Sequence, residues 1–145
     1  VTIAIIEVFS FACGRQSFAV PVAAIEEIFE LGDDAVTLPR VRGGSAARLL
    51  ARRGRAVPVV SLGVELAIDD GARARKALVI RRDGEPIAFA VDRMLGRQEV
   101  VVRTLEDPLV QAPGIAGATD LGDGRPTLVL DLLELGLGVR EVAAS

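Results

Sequence analysis

The segment LGDGRPTLVLDL, residues 121–132, admits two readings. Two glycines around an aspartate could cradle a phosphate, or they could form a tight turn that feeds a buried strand. A phosphate loop places Lys and Ser/Thr after its last glycine and opens a helix whose N-terminus holds the anion. Here Gly124 is followed by Arg125-Pro126 and an aliphatic run, so the turn-and-strand reading stands, with Asp123 in the turn and Asp131 capping a short helix.

The same text occurs earlier. GRAVPVVSL from Gly54 aligns with GRPTLVLDL from Gly124, an offset of 124 − 54 = 70, and matches Val59 to Val129 and Leu62 to Leu132. Phe18-Ala19-Val20 matches Phe89-Ala90-Val91 at 89 − 18 = 71. Two matches at nearly one offset indicate a duplicated unit of about 70 residues. Each half is too small to be stable alone, so two small barrels packed through Val, Leu and Ile faces are expected, divided near residues 67–75.

Around these anchors the chain reads as short strands. EVFSFAC and QSFAV flank Gly14-Arg15, RLLAR and RAVPVVSL flank Arg53-Gly54, and KALVIRR and EPIAFAVDRML flank Asp83-Gly84. Pro21 ends the first hairpin. In VAAIEEIFEL, Val22, Ile25, Ile28 and Phe29 recur at helical spacing and predict a short helix. Ser61 is a candidate N-cap for LGVELA, paralleling Asp131. RQEVVVRTL is a further strand, GDDA, PRVRGGSAA and DDGARAR are connectors, and the end frays.

Composition narrows the chemistry. Of the 145 residues, 50% are hydrophobic, with five Phe and no Trp, Tyr or His. Without histidine there is no common general base, imidazole ligand or phosphohistidine acceptor, and no catalytic, metal or cofactor-binding residues are assigned. The lone Cys13 shares strand parity with Phe9 and Phe11 and reads as a buried thiol. Seventeen basic and 20 acidic residues give a net charge of −3, which disfavours nucleic acid and anionic membranes as partners. The Arg48, Arg52, Arg53 and Arg55 cluster reads as a solvated rim. No apolar run suffices to cross a bilayer and no signal peptide opens the chain, so a cytoplasmic protein is expected.

Asp92 to Leu132, with LGRQEVVVR, PGIAGAT and LGDGR in order, resembles the CheW-like domains of bacterial chemotaxis. Within them it is most similar to the C-terminal regulatory domain of CheA-type histidine kinases. FAVPVAAIEEI and RRGRAVPVVSL extend a weaker resemblance over Glu7 to Leu66. VTIAII resembles the closing strand of a kinase catalytic domain, and Ala51-Arg52-Arg53-Gly54 stands where free adaptors commonly carry Asn-Leu-Arg-Gly. The resemblance implies a mostly β fold of two intertwined five-stranded SH3-like barrels with short helices. It implies residues 1–6 as the tail of a kinase domain, a CheW-like domain over 7–138 (barrels about 7–68 and 76–138) and a flexible tail at 139–145. It implies a non-catalytic domain that binds the CheW adaptor, the receptor tip and other domains of the parent kinase, with a free-standing CheW adaptor as the alternative reading.

Two groups of residues follow as partner-binding candidates. By resemblance, Glu27 in AIEEI and Arg53 in RRG pair beside a receptor-facing groove, with Glu26 and Arg52 as the rivals in each doublet. Aliphatic residues on both sides of strands such as EVVV and LVL suggest apolar patches that dock a CheW-like partner pseudo-symmetrically. Their candidates are Leu49, Leu50 and Val57 on the first barrel and Val101, Leu121 and Leu128 on the second, each of which also fits a purely core role.

Overall fold

The computed structural model describes residues 3–32, 36–37, 47–68, 73–103, 114–122, 124 and 126–135. The described strands are β1 (Ile3–Cys13), β2 (Gln16–Pro21), β3 (Glu27–Glu30), β4 (Val36–Thr37), β5 (Ala47–Arg52) and β6 (Arg55–Ser61), then β7 (Lys76–Arg82), β8 (Glu85–Val91), β9 (Arg93–Arg103), β10 (Ile115–Asp120) and β11 (Pro126–Leu130). One closed barrel runs β1-β2-β11-β10-β9; the second lobe is a curled sheet ordered β3-β7-β8-β6-β5-β4, whose outermost strand has only two residues.

The hairpins form where the turn chemistry places them. Arg53 and Gly54 (φ 53° and 77°) and Asp83 and Gly84 (φ 50° and 82°) have positive φ at both central positions, the twist that matches flanking antiparallel strands. Ser61 Oγ accepts from the Val64 amide at 3.3 Å to cap α1 (Leu62–Glu65), and Asp131 Oδ1 accepts from the Glu134 amide at 3.2 Å to cap the turn at 132–135.

The duplication is visible in the pairing. Phe18 and Ala19 of β2 lie parallel to Leu128 and Val129 of β11, while Ala88 and Phe89 of β8 lie parallel to Val59 and Val60 of β6. The lobes are nevertheless not consecutive in the chain, so a division at 67–75 does not separate them. After each hairpin the chain crosses over: β3 leaves the barrel to pair with β7, and β9 leaves the sheet to pair with β1 along its length. Each lobe is thus one half's hairpin completed by the other half's strands. Residues 3–6, expected to belong to a preceding unit, are part of β1, with Ile3 opposite Arg103 and Ile6 opposite Val100.

The segment expected to be a helix is the clearest correction. Val22–Ala24 forms one 3-10 turn and Glu27–Glu30 is a strand, with Glu27 opposite Val79 and Glu30 opposite Lys76. The apolar spacing arises because Ile25 and Ile28 turn toward one core cluster and Phe29 toward another. Pairing with β7 satisfies the backbone there and overrides a helical periodicity of only three turns.

Three clusters make up the core. Val8, Ala19, Val100, Val102 and Val129 fill the barrel. Leu50, Val57, Val59, Ala77, Val79 and Ala88 fill the second lobe. Between the lobes, Phe11, Phe18, Val20, Val60, Leu78, Phe89, Leu130 and Leu132 belong to a shared cluster. Strand alternation explains the division: in β8, Ala88 and Ala90 face their own lobe while Ile87, Phe89 and Val91 face the seam. Aliphatic residues on both strand faces are therefore consumed largely by this third cluster. Cys13 is buried within it.

Candidate functional site

Edge strand β3 of the second lobe meets the end of β5, next to the other edge, through side chains. Glu27 stands on edge strand β3 and Arg52 at the end of β5; Arg52 Nε donates to Glu27 Oε1 at 3.0 Å and Nη2 donates to the same oxygen. The Arg52 guanidinium also lies 4.0 Å from the Phe29 ring centroid, so it is held on two sides. Arg53 reaches Glu27 Oε1 at 3.4 Å with a side chain 77% exposed. The expected Glu27–Arg53 contact is present, but Arg52 is the principal partner. Arg53 occupies the turn, where its positive φ aims it outward.

The hydrogen bond from Arg52 holds the Glu27 carboxyl below its ordinary range, opposed by desolvation and helped by the charges of Arg52 and Arg53. The other glutamate of the doublet, Glu26, takes Arg81 at 2.6 Å, and Arg55 meets Glu85 at 3.0 Å. Glu26, Arg55, Arg81 and Val57 border, with the Glu27–Arg52–Arg53 group, a shallow cavity of about 60 Å³. Its walls carry charges of both signs beside Val57, Val79 and Pro86, and it is too small for a cofactor.

The apolar candidates divide. Leu50 and Val57 face one another across the β5–β6 pair and are buried in the second lobe's core, which removes them as docking residues. Leu49 is half-buried, opposite Val36 and Pro58. Leu121 packs against the barrel core and Leu128 against the shared cluster, both partly covered. Val101 is 46% exposed. Its partner across β1–β9 is Ile5, at 68% the most exposed of the large apolar residues described, and Leu95 and Leu133 are also exposed. Ile5 was overlooked because VTIAII reads as a foreign tail; its alternation with Glu7 was the available signal.

A larger cavity, about 560 Å³, opens between β9 and the ends of β10 and β11, lined by Gln98, Glu99, Val101, Arg103, Thr119 and Asp120 among others. The PGIAGAT segment is shaped by contact at its edge. A Cβ on Gly117 would lie 2.6 Å from the Arg103 carbonyl oxygen, and one on Gly114 (φ 88°) would lie 2.5 Å from Leu135 Cδ2. Among the described residues no group of three or more Cys, Asp or Glu side chains could hold a metal, and no helix is long and apolar enough to cross a membrane.

Comparison with known proteins agrees with this architecture. The family model of the CheW-like domain matches residues 7–136. Chemotaxis protein CheA of Bacillus subtilis is 34% identical over 133 residues, 90% of this chain and 19% of that protein. Chemotaxis protein CheA of Klebsiella aerogenes is 32% identical over 146 residues, 97% of this chain and 21% of that protein. The chain therefore spans about one-fifth of the length of these relatives. The scaffolding protein TtCheW of Thermoanaerobacter tengcongensis has the same fold, with a TM-score of 0.72 at 13% identity over 92% of this chain and 94% of that one. Two interlocked β lobes, a signature in which Gly117 is required by backbone contact, and a family match over nearly the whole chain lead to one assignment: the chain belongs to the CheW-like domain family, as a non-catalytic domain.

Proposed function

We propose that the chain is the regulatory CheW-like domain of a CheA-type chemotaxis histidine kinase, working in the cytoplasm, where it binds a CheW-type adaptor and couples chemoreceptor state to kinase activity. The observation that carries this reading is that the matched relatives named above are CheA proteins, of which this chain corresponds to about one-fifth. Chemistry on the phosphate would then belong to other domains of the parent chain. A free-standing CheW-type adaptor is the second reading, favoured by the near-complete overlap with a scaffolding CheW chain. The reading frame upstream of Val1 separates the two: a kinase catalytic domain precedes it under the first and not under the second.

In this reading the Glu27–Arg52–Arg53 groove orients the receptor or adaptor, with exposed Arg53 as the contacting charge. Docking energy comes from rim residues that remain accessible: Leu49, Leu121, Leu128 and Val101 with its neighbour Ile5. Titration calorimetry with a CheW-type adaptor tests this. Leu49→Asp and Val101→Asp are expected to weaken adaptor binding at least tenfold, at least one of them leaving the thermal transition in place. Wild-type affinity in both folded variants overturns the surface assignment.

A further inference from the structure

The groove at the Arg53-Gly54 turn holds one cation more than its own carboxylates engage. Arg52, Arg53, Arg55 and Arg81 border the cavity of about 60 Å³ together with Glu26 and Glu27. Glu27 is held by Arg52 through two donors on one oxygen, Glu26 by Arg81 at 2.6 Å, and Glu85 by Arg55 at 3.0 Å. Four guanidinium groups thus face three carboxylates. The fourth, Arg53, has among the described residues only a 3.4 Å share in the oxygen that Arg52 already holds, and its side chain is 77% exposed. The chain as a whole carries a net charge of −3, so this positive surplus is a local feature.

The backbone points the same way independently. Arg53 has φ 53° in a two-residue turn, a left-handed conformation that Gly, Asn and Asp adopt most readily and that strains a longer side chain. The Asp83-Gly84 turn has Asp at the same place, with φ 50°, and Asp123 stands at the repeat of Arg53, 123 − 53 = 70 positions on. Arginine is therefore the poorer choice for this turn. It is also not what secures Glu27, since Arg52 binds that carboxylate while lying over the Phe29 ring. A strained residue that contributes little to its own fold directs attention to what lies outside it.

We propose that Arg53 receives the carboxylate of an aspartate or glutamate side chain on the adaptor, as a bidentate pair at the mouth of the Glu27–Arg52 groove; the inference rests on the adaptor-binding reading above. A guanidinium presents five N–H donors, and the share in Glu27 Oε1 uses only Nη2, which leaves Nε and Nη1 for the parallel bonds a carboxylate accepts. Arg52 and Arg81 neutralise Glu27 and Glu26, so an incoming carboxylate meets little repulsion from the groove wall. Val57, Val79 and Pro86 line the same cavity, and their apolar surface lessens the screening of the pair by water.

Titration calorimetry of the full chain with a CheW-type adaptor, joined to thermal melts, tests the proposal. Arg53→Asn suits the turn, so it is expected to keep or raise the melting temperature while weakening adaptor binding about fivefold or more. Arg53→Asp suits the turn equally and should weaken binding further, because it sets like charges together. Arg53→Lys keeps the charge without the planar fork and should fall between the parent and Arg53→Asn. Lys76 is the only lysine of the chain, so Arg53→Lys also introduces a single new side-chain amine. A carbodiimide condenses an amine with a carboxylate in contact with it, taking up the water released. The expected product is an amide link from position 53 to an adaptor Asp or Glu, located by mass spectrometry and absent from the parent chain. Arg53→Asn and Arg53→Asp that bind like the parent, an Arg53→Asn that fails to fold, or a link from position 53 only to Glu27 of its own chain overturns the proposal. A parent chain that does not bind the adaptor overturns the adaptor-binding reading and this inference with it; a parent that binds, with variants that bind as well, removes the carboxylate contact alone.

Discussion

Removing the Phe89 ring tests whether the two lobes are one folding unit. Phe89 is fully buried in the shared cluster and stands between Leu78 on β7 and Val60 on β6 in the pairing of the second lobe. Phe89→Ala deletes an aromatic ring from a seam lined on the far side by Phe11 and Phe18 of the barrel. Such truncations cost about 3–5 kcal/mol, the transfer of the ring plus the cavity left behind. A chain of 145 residues has roughly 7–20 kcal/mol of stability in total, so the variant should fold but melt about 6–20 °C lower. Without Trp or Tyr, circular dichroism reports the transition and hydrogen exchange with mass spectrometry locates it. Crossed strands require that barrel peptides from β1 and β11, which belong to the other lobe, lose protection in step with β7 and β8. Loss confined to the second lobe, with the barrel's slowest amides unchanged, would refute the interlocked account.

Acid should act on the groove. Glu27 and Glu30 are held below their ordinary carboxyl range chiefly by hydrogen bonds from Arg52 and Lys76, so their contribution to stability is complete above the unfolded-state value and is lost as pH falls through the lower folded one. The melting temperature of Glu27→Gln should accordingly fall less than that of the parent between pH 6 and pH 3; parallel curves would remove Glu27 as a contributor. Arg52→Ala should lower the melting temperature more than Arg53→Ala, because only Arg52 combines the short contact with the Phe29 ring; equal effects would contradict the ranking. Gly117→Ala drives a methyl to 2.6 Å from the Arg103 carbonyl oxygen and should destabilise by about 1–3 kcal/mol in urea titrations, whereas Gly96→Ala meets no atom within 4 Å and should cost less.

The parts legible from sequence were those set by neighbours along the chain. The Arg53-Gly54 and Asp83-Gly84 turns, the Ser61 and Asp131 caps and the strands around them depend on local backbone preference, which residue types report directly. The duplicated Phe-Ala-Val and Gly-Arg motifs were legible because both copies fill one structural role beside a parallel neighbour. What could not be read was partnership between distant strands. Glu27–Glu30 finds β7 some 50 positions away, and nothing within VAAIEEIFEL distinguishes that fate from a helix.

The docking candidates differ in how much of each side chain the fold covers. Surface and core were assigned by supposing two small lobes, each with one apolar face to satisfy, and that left Leu50, Val57 and Leu128 as surplus. Leu50 and Val57 are taken up by the second lobe's own core, and crossing over by β3 and β9 creates a third apolar layer that takes up others: in LVL, Val129 faces the barrel core and Leu130 the seam, with Leu128 partly covered beside it. Val101 stays exposed because it alternates with Val100 and Val102 of the barrel core and so faces outward, on a face shared with Ile5 and Glu7. An apolar residue in this fold is therefore informative about partners only where neither its own lobe nor the seam lies behind it, and Val101 with Ile5 meets that condition. Under the proposed docking, their charged neighbours Glu7, Arg97 and Glu99 would make the surrounding face selective, since a partner would have to supply both an apolar contact and matching charges.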